Sequence, residues 1–361
     1  MGAIIQLGGL ALLVGFALSL CLTPLSRGLA PSVGLVDHPD ERKIHDRPIP
    51  ASGGLAIFWS FAAPTLVVAW ASGALLALFP GGPFAALGDQ APLLTALVAG
   101  ATLMHATGLI DDLVGLGPLV KLIAQLLASV PLILFFDVFL LPRWLSPLTS
   151  VALTLIWFVV VINAFNFLDG MDGLMAAVGG ICAAELALIA IYTRQALTAG
   201  LLALLTGILL SFLLFNRPPA TIFSGDSGSL VVGYLMAFAS VRITYADPAS
   251  VREAPWHAVL APLLVLAIPL YDLASVVLIR FVQHRSLVAG DNQHFWHRLR
   301  RRGLRTPAAL LLICAFTLVT GIGGVLLIRL DALQAILIAA QAFVLLLTLA
   351  LLEWVVQTRT T

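Results

Sequence analysis

The sequence predicts an all-α, polytopic integral membrane protein of about eleven transmembrane helices, with its polar loops gathered in a cleft on the cytoplasmic face. Three observations carry this. Sixty per cent of the 361 residues are hydrophobic and ten per cent charged, and mean hydropathy is +1.05, a composition of bilayer-spanning sequence. The apolar residues fall in runs of roughly 20, the length a helix needs to cross a hydrocarbon core. The polar insertions between runs are too short for a soluble domain, so residues 1–361 read as a single transmembrane domain.

The first run, "AIIQLGGLALLVGFALSLCLTPL", follows no basic segment and is expected to remain as a helix instead of being cleaved as a signal. Further runs lie near 52–75, 92–110, 119–137, 148–165, 173–192, 198–215, 228–243, 257–281, 308–328 and 333–356. If the connections alternate sides, the odd ones and the C-terminal tail hold fourteen of the nineteen lysines and arginines. The positive-inside rule then places the odd loops and the C-terminus in the cytoplasm and the N-terminus outside. A net charge of +1 argues against a nucleic-acid surface. Cys21, Cys182 and Cys314 lie inside apolar runs, without disulfide or metal spacing, and read as packing residues.

The unusual polar sequence falls in the odd loops: "GLVDHPDERKIHDRPIPASGG", "GLIDDLVGLG", "NAFNFLDGMDGL", "FNRPPATIFSGDSGS" and "HRSLVAGDNQHFWHRLRRRG". Carboxylates at a membrane edge are costly unless paired or solvated, so Asp111 and Asp112 at the end of one run suggest function, although a capping acid would also fit. Adjacent helical residues point about 100° apart, so two roles are expected. Asn163, Asn166, Asp169 and Asp172 recur at every third residue, and Gly170 and Gly173 allow the backbone to break there. Such amides and acids suit a hard cation and a nucleotide. Capping of the next helix by Asp169 and Asp172 is the simpler alternative. Asp226 lies between glycines just before a further run, as an N-cap or a third acid. If the ninth loop is helical, Asp291, His294, His297, Arg298 and Arg301 form one basic stripe suited to phosphate. Arg300, Arg302 and Arg305 read better as a lipid-headgroup anchor.

Taken in order, these stretches resemble the polyprenyl-phosphate N-acetylhexosamine-1-phosphate transferase family of membrane enzymes, over roughly residues 1–300. The likeness is nearest to the bacterial branch that loads N-acetylglucosamine 1-phosphate onto undecaprenyl phosphate. That branch begins lipid-linked cell-surface glycans such as lipopolysaccharide O-antigen and wall polymers. The resemblance implies transfer of a sugar 1-phosphate from a UDP-sugar to polyprenyl phosphate, with release of UMP and assistance from Mg²⁺ or Mn²⁺, at a bacterial inner membrane. It implies that Asp111 deprotonates or orients the acceptor phosphate, that Asp112 supports it, and that Asp226 is a metal ligand. Asp169 and Asp172 would shape the metal and nucleotide site, beside Asn163 and Asn166. Asn216 and Phe223 would meet the uracil, and His294 and His297 the diphosphate or sugar. Lys43, Arg47, Arg298 and Arg301 would contact phosphate. The branch commonly reads H-x-H-H where this chain has His294, Phe295, Trp296 and His297, so Trp296 stands in place of a histidine. A homodimer is compatible with the sequence.

Other readings compete. A secondary transporter would place acids near the bilayer midplane, and Glu185 and Asp272 inside apolar runs are the residues that fit it. A CDP-alcohol phosphotransferase would need a DG-x-x-A-R pattern, which is absent. A catalytically inactive scaffold would explain the altered histidine motif.

Overall fold

A computed structural model describes residues 1–38, 47–78, 84, 90–141, 145–245, 260–284 and 294–357, with some side chains near the helix ends left out. It is an α-helical bundle. The helices are α1 (Gly2–Val33), α2 (Gly53–Leu78), α3 (Ala91–Val114), α4 (Pro118–Phe135), α5 (Pro147–Leu168), α6 (Leu174–Tyr192), α7 (Ala196–Asn216) and α8 (Asp226–Tyr245), then α9 (Ala261–Val265), α10 (Ala267–Val282), α11 (Phe295–Arg301), α12 (Thr306–Leu326) and α13 (Ala332–Gln357). Among the described residues, nine helices are long and apolar enough to cross a membrane. Helices suit that setting because every backbone N–H and C=O is bonded within its own segment.

In their described residues the eleven apolar runs are helical, with one correction. The ninth, read as a single helix over 257–281, is broken between α9 and α10. Pro269 has no N–H to give the carbonyl of Val265 four residues earlier. The Cys182 thiol of α6 donates to that carbonyl instead, at 3.2 Å, so this cysteine does more than fill space.

Burial ranks the helices. α6, α7 and α8 form the core, with Cys182, Phe212, Tyr234 and Phe238 buried, whereas α13 leaves Leu333, Leu337 and Phe343 exposed, as a lipid-facing helix should. α8 carries buried Ser227, Ser229 and Ser240 because it is surrounded by protein, where hydroxyls find partners. α1 crosses α7 closely: a Cβ at Gly207 would lie 2.9 Å from the Phe16 amide. The first polar loop adds a short antiparallel pair, β1 (Val36–Asp37) and β2 (Ile49–Pro50).

Candidate active site

The ends of α1, α3, α5, α7 and α10 lie at one end of the bundle, and described residues of the connections that follow them line an open cavity of about 1260 Å³. Its walls include Arg47 and Pro50 from the first loop, Asp112 from the third, Asp169 and Asp172 from the fifth, Phe223 and Asp226 from the seventh, and His294, Trp296 and His297 from the ninth. All five polar stretches thus meet in one place. The backbone joins two of them, since Phe223 N–H donates to Pro50 O at 2.8 Å and Gly53 N–H to Phe223 O at 2.9 Å.

Asp111 and Asp112 have the separate roles their helical spacing requires. Asp112 reaches across to the start of α8, where Oδ1 accepts from Asp226 N–H at 2.8 Å and Oδ2 from Ser227 N–H at 3.1 Å. It is therefore an N-cap supplied by another helix, satisfying amides that α8 leaves without intrahelical partners. Gly225 makes the approach possible: its φ is +67° and a Cβ there would meet Asp112 Oδ2 at 2.5 Å. Asp111 is not among the cavity-lining residues but shares Lys121 with Asp226, which is. Asp111 accepts from Leu116 N–H at 2.7 Å and pairs with Lys121 at 2.6 Å.

Lys121 is the residue the motifs do not reveal. Its Nζ also pairs with Asp226 Oδ2 at 2.5 Å, bridging two acids from different helices. The available signal is a lysine placed inside an apolar run, since a cation there needs a partner. Asp226 is completed by Asn166, whose Nδ2 donates to Oδ1 at 2.9 Å and lies 2.9 Å from Ser229 Oγ.

Asp169 is the C-cap residue of α5 and accepts from the Ser224 hydroxyl. Enclosure by the cavity walls pushes its carboxyl well above the ordinary carboxylate range; the Ser224 bond opposes this, while the Asp226 and Asp112 charges reinforce it. Neither Asp169 nor Asp172 caps the next helix, because α6 begins at left-handed Gly173 (φ +76°) with no side-chain cap. Asp172 instead accepts from Ala220 N–H at 2.9 Å, tying the fifth loop to the seventh.

Other expected residues lie beneath or beside the cavity. Asn216 is buried, accepts from Gly173 N–H at 3.0 Å and donates to Ile222 O at 2.8 Å, bracing the two loops from below. Asn163 donates to Gln125 Oε1 at 3.0 Å and Val159 O at 2.7 Å, in the packing of α4 on α5. Neither is among the lining residues. Lys43 and Asp291 lie outside the described residues.

The single basic stripe does not form. His294 precedes α11 as its N-cap residue, and Arg298 is buried with its guanidinium on Ser275 Oγ at 2.8 Å. Packing against α10 claims that face of the short helix. His297 and Arg301 share another face, on a smaller basic pocket with Arg300 and Arg305. Burial, followed by the neighbouring His294, Arg301 and Arg300, depresses the His297 pKa to about 4, so its ring is neutral at physiological pH. It stacks on Trp296, ring centroids 3.4 Å apart. Trp296 is itself buried, and its Nε1 has no hydrogen-bond partner among the described residues.

Among the described residues, no three His, Cys, Asp or Glu side chains gather closely enough to hold a metal by themselves. The donor chemistry still suits a divalent ion that shares its ligands with substrate. Asp226 and Asp169 offer hard oxygens close enough for their charges to interact, and Asp226 already holds a cation in Lys121. Mg²⁺ sites typically take one or two carboxylates, with phosphates and water supplying the rest.

Comparison with known proteins gives a consistent picture. Residues 94–244 match the model of Glycosyl transferase family 4. A Bacillus subtilis protein named "Probable undecaprenyl-phosphate N-acetylglucosaminyl 1-phosphate transferase" is 30% identical over 324 residues, covering 88% of this chain and 84% of that protein. The decaprenyl-phosphate N-acetylglucosaminephosphotransferase of Mycolicibacterium smegmatis is 32% identical over 352 residues, covering 90% and 83%. The undecaprenyl-phosphate alpha-N-acetylglucosaminyl 1-phosphate transferase of Yersinia pestis is 25% identical over 314 residues, covering 82% and 78%.

Proposed function

The chain belongs to glycosyl transferase family 4, and from that premise we propose that it transfers N-acetylglucosamine 1-phosphate from UDP-N-acetylglucosamine to a polyprenyl phosphate, releasing UMP. The observation that carries this reading is the convergence of five polar loops on one cavity at the end of a membrane bundle. A water-soluble diphosphate and a lipid phosphate can meet only where a polar site opens at a membrane surface.

The donor and acceptor are both anions, so the site must neutralise charge before their phosphorus and oxygen approach. Lys121, held between Asp111 and Asp226, offsets part of the negative charge of those two acids beside the cavity. A divalent cation, when bound by Asp226 and Asp169, supplies further charge neutralisation and draws electrons from the phosphorus. Asp112 holds Asp226 in place through the start of α8. His294 and His297 face the same cavity from the opposite loop, as contacts for the diphosphate or sugar. Arg47 and Phe223 border the cavity as contacts for phosphate and uracil. An oxygen of the acceptor phosphate attacks the phosphorus bearing the sugar, the bond from that phosphorus to the bridging oxygen breaks, and UMP leaves with that oxygen.

The charge distribution supports a cytoplasmic cavity in a bacterial inner membrane, with the N-terminus outside. An impermeant thiol reagent should fail to label a cysteine placed at exposed Thr221 in a cysteine-free background in intact cells. Labelling from outside would reverse the orientation. For the activity, purified protein in lipid nanodiscs should release UMP from UDP-N-acetylglucosamine only when polyprenyl phosphate is present. Absence of that dependence would refute the transferase reading and favour a scaffold.

A further inference from the structure

Asp272 is fully buried on α10, inside an apolar run where an isolated carboxylate is heavily disfavoured. Its partners explain its presence. Oδ1 accepts from Phe295 N–H at 2.6 Å, and Oδ2 lies 3.1 Å from His294 Nδ1. One turn further along α10, Ser275 donates to Asp272 O at 3.0 Å and accepts from Arg298 at 2.8 Å. Two neighbouring positions on α10 thus grip His294 and Arg298, four residues apart around the start of α11. Phe167 closes another side of the imidazole, edge-on with centroids 4.9 Å apart and planes at 83°. The His294 ring is therefore held at Nδ1 and by Phe167 while it lines the cavity.

We propose that Asp272 is a positioning residue for the transferase: it fixes the orientation and tautomer of His294 so that Nε2 is the nitrogen presented to the sugar diphosphate. The chemistry of imidazole supports the assignment, because the hydrogen bond made by one ring nitrogen sets what the other can do. A carboxylate has no proton to give, so the Asp272 contact keeps a proton on Nδ1. Nε2, on the far edge of the ring, then faces the substrate. A histidine without this tie could turn its ring or exchange tautomers and offer the wrong nitrogen. One of the two acids that fit a transporter is thereby drawn into the cavity's own machinery.

The inference rests on the transferase reading, and its test separates the two. Transferase kinetics are measured for the parent, His294→Ala, Asp272→Asn and the double variant, alongside the ¹⁵N spectrum of His294 in the parent and in Asp272→Asn. Each single variant should lose about 10- to 100-fold in kcat. The double variant should be no worse than His294→Ala, because Asp272 acts through that ring. The parent spectrum should show Nδ1 protonated, and Asp272→Asn should shift that signal. Losses that multiply in the double variant would overturn the proposal. So would a parent His294 carrying its only proton on Nε2, a result that stands even if Asp272→Asn fails to fold. A parent with no activity but an Asp272-dependent Nδ1 signal would refute the transferase reading alone.

Discussion

Asp112→Asn separates a cap from a charge. Asp112 makes two hydrogen bonds to the first amides of α8, at 2.8 and 3.1 Å, and hydrogen bonds to a charged group each contribute about 1.5–3 kcal/mol. Asparagine keeps one oxygen but turns an NH₂ group toward a second donor, so one bond is lost and two donors are set against each other. If the loss of about 1.5–3 kcal/mol is expressed as misplacement of Asp226, kcat/KM should fall roughly 10- to 150-fold. Asp112→Ala loses both bonds and should fall further. The assay is UMP release in nanodiscs across a Mg²⁺ titration, with thermal unfolding measured on the same samples. Asp112→Asn should need more Mg²⁺ for half-maximal rate, because the displaced carboxylate belongs to Asp226. Unchanged kcat/KM and Mg²⁺ dependence in Asp112→Asn would refute the reasoning. Equal losses in the two variants with unchanged stability would assign the effect to charge instead of capping.

Lys121→Met leaves Asp111 and Asp226 without their shared cation, and turnover should drop by roughly 100-fold or more; parental turnover in steady-state assays would remove Lys121 from the site. Asp226→Asn should lose activity by orders of magnitude and raise the Mg²⁺ requirement, since a hard oxygen ligand is removed; normal turnover at normal metal concentration would end its metal role. The folded chain protonates His297 only near pH 4 and the unfolded chain at 6.5, so the unfolded state binds more protons between those values and stability falls as pH drops through that window. His297→Gln should flatten this slope in thermal unfolding measured across the window, and an unaltered slope would contradict the neutral ring. Trp296→His should keep the metal dependence but alter the ranking of UDP-sugars by kcat/KM, because an indole with a single donor gives way to an imidazole. An inactive parent rescued by Trp296→His would favour the scaffold reading.

The helical bundle and the polar end were legible in the sequence because both are local properties. A run of about 20 apolar residues becomes a helix in a bilayer whatever its neighbours, since its backbone bonds close within the run. The five polar stretches stood out against such runs, and the alternating connections placed them at one end. Asp111 and Asp112 were also separable by the angle between adjacent helical residues alone. The partners of these groups were decided by tertiary structure. Lys121 meets Asp226 across 105 positions of chain and Asp112 meets the α8 amides across 114, and no periodicity encodes such pairings. Asn216 resembles a ligand-binding amide in sequence, yet packing turns it to the backbone beneath the cavity. Asp272 and His294 illustrate the same division: each is conspicuous by itself, but only the crossing of α10 and α11 makes one the anchor of the other. Side-chain hydrogen bonds are short and directional, so they depend on where helices cross, and that is set by packing over the whole bundle.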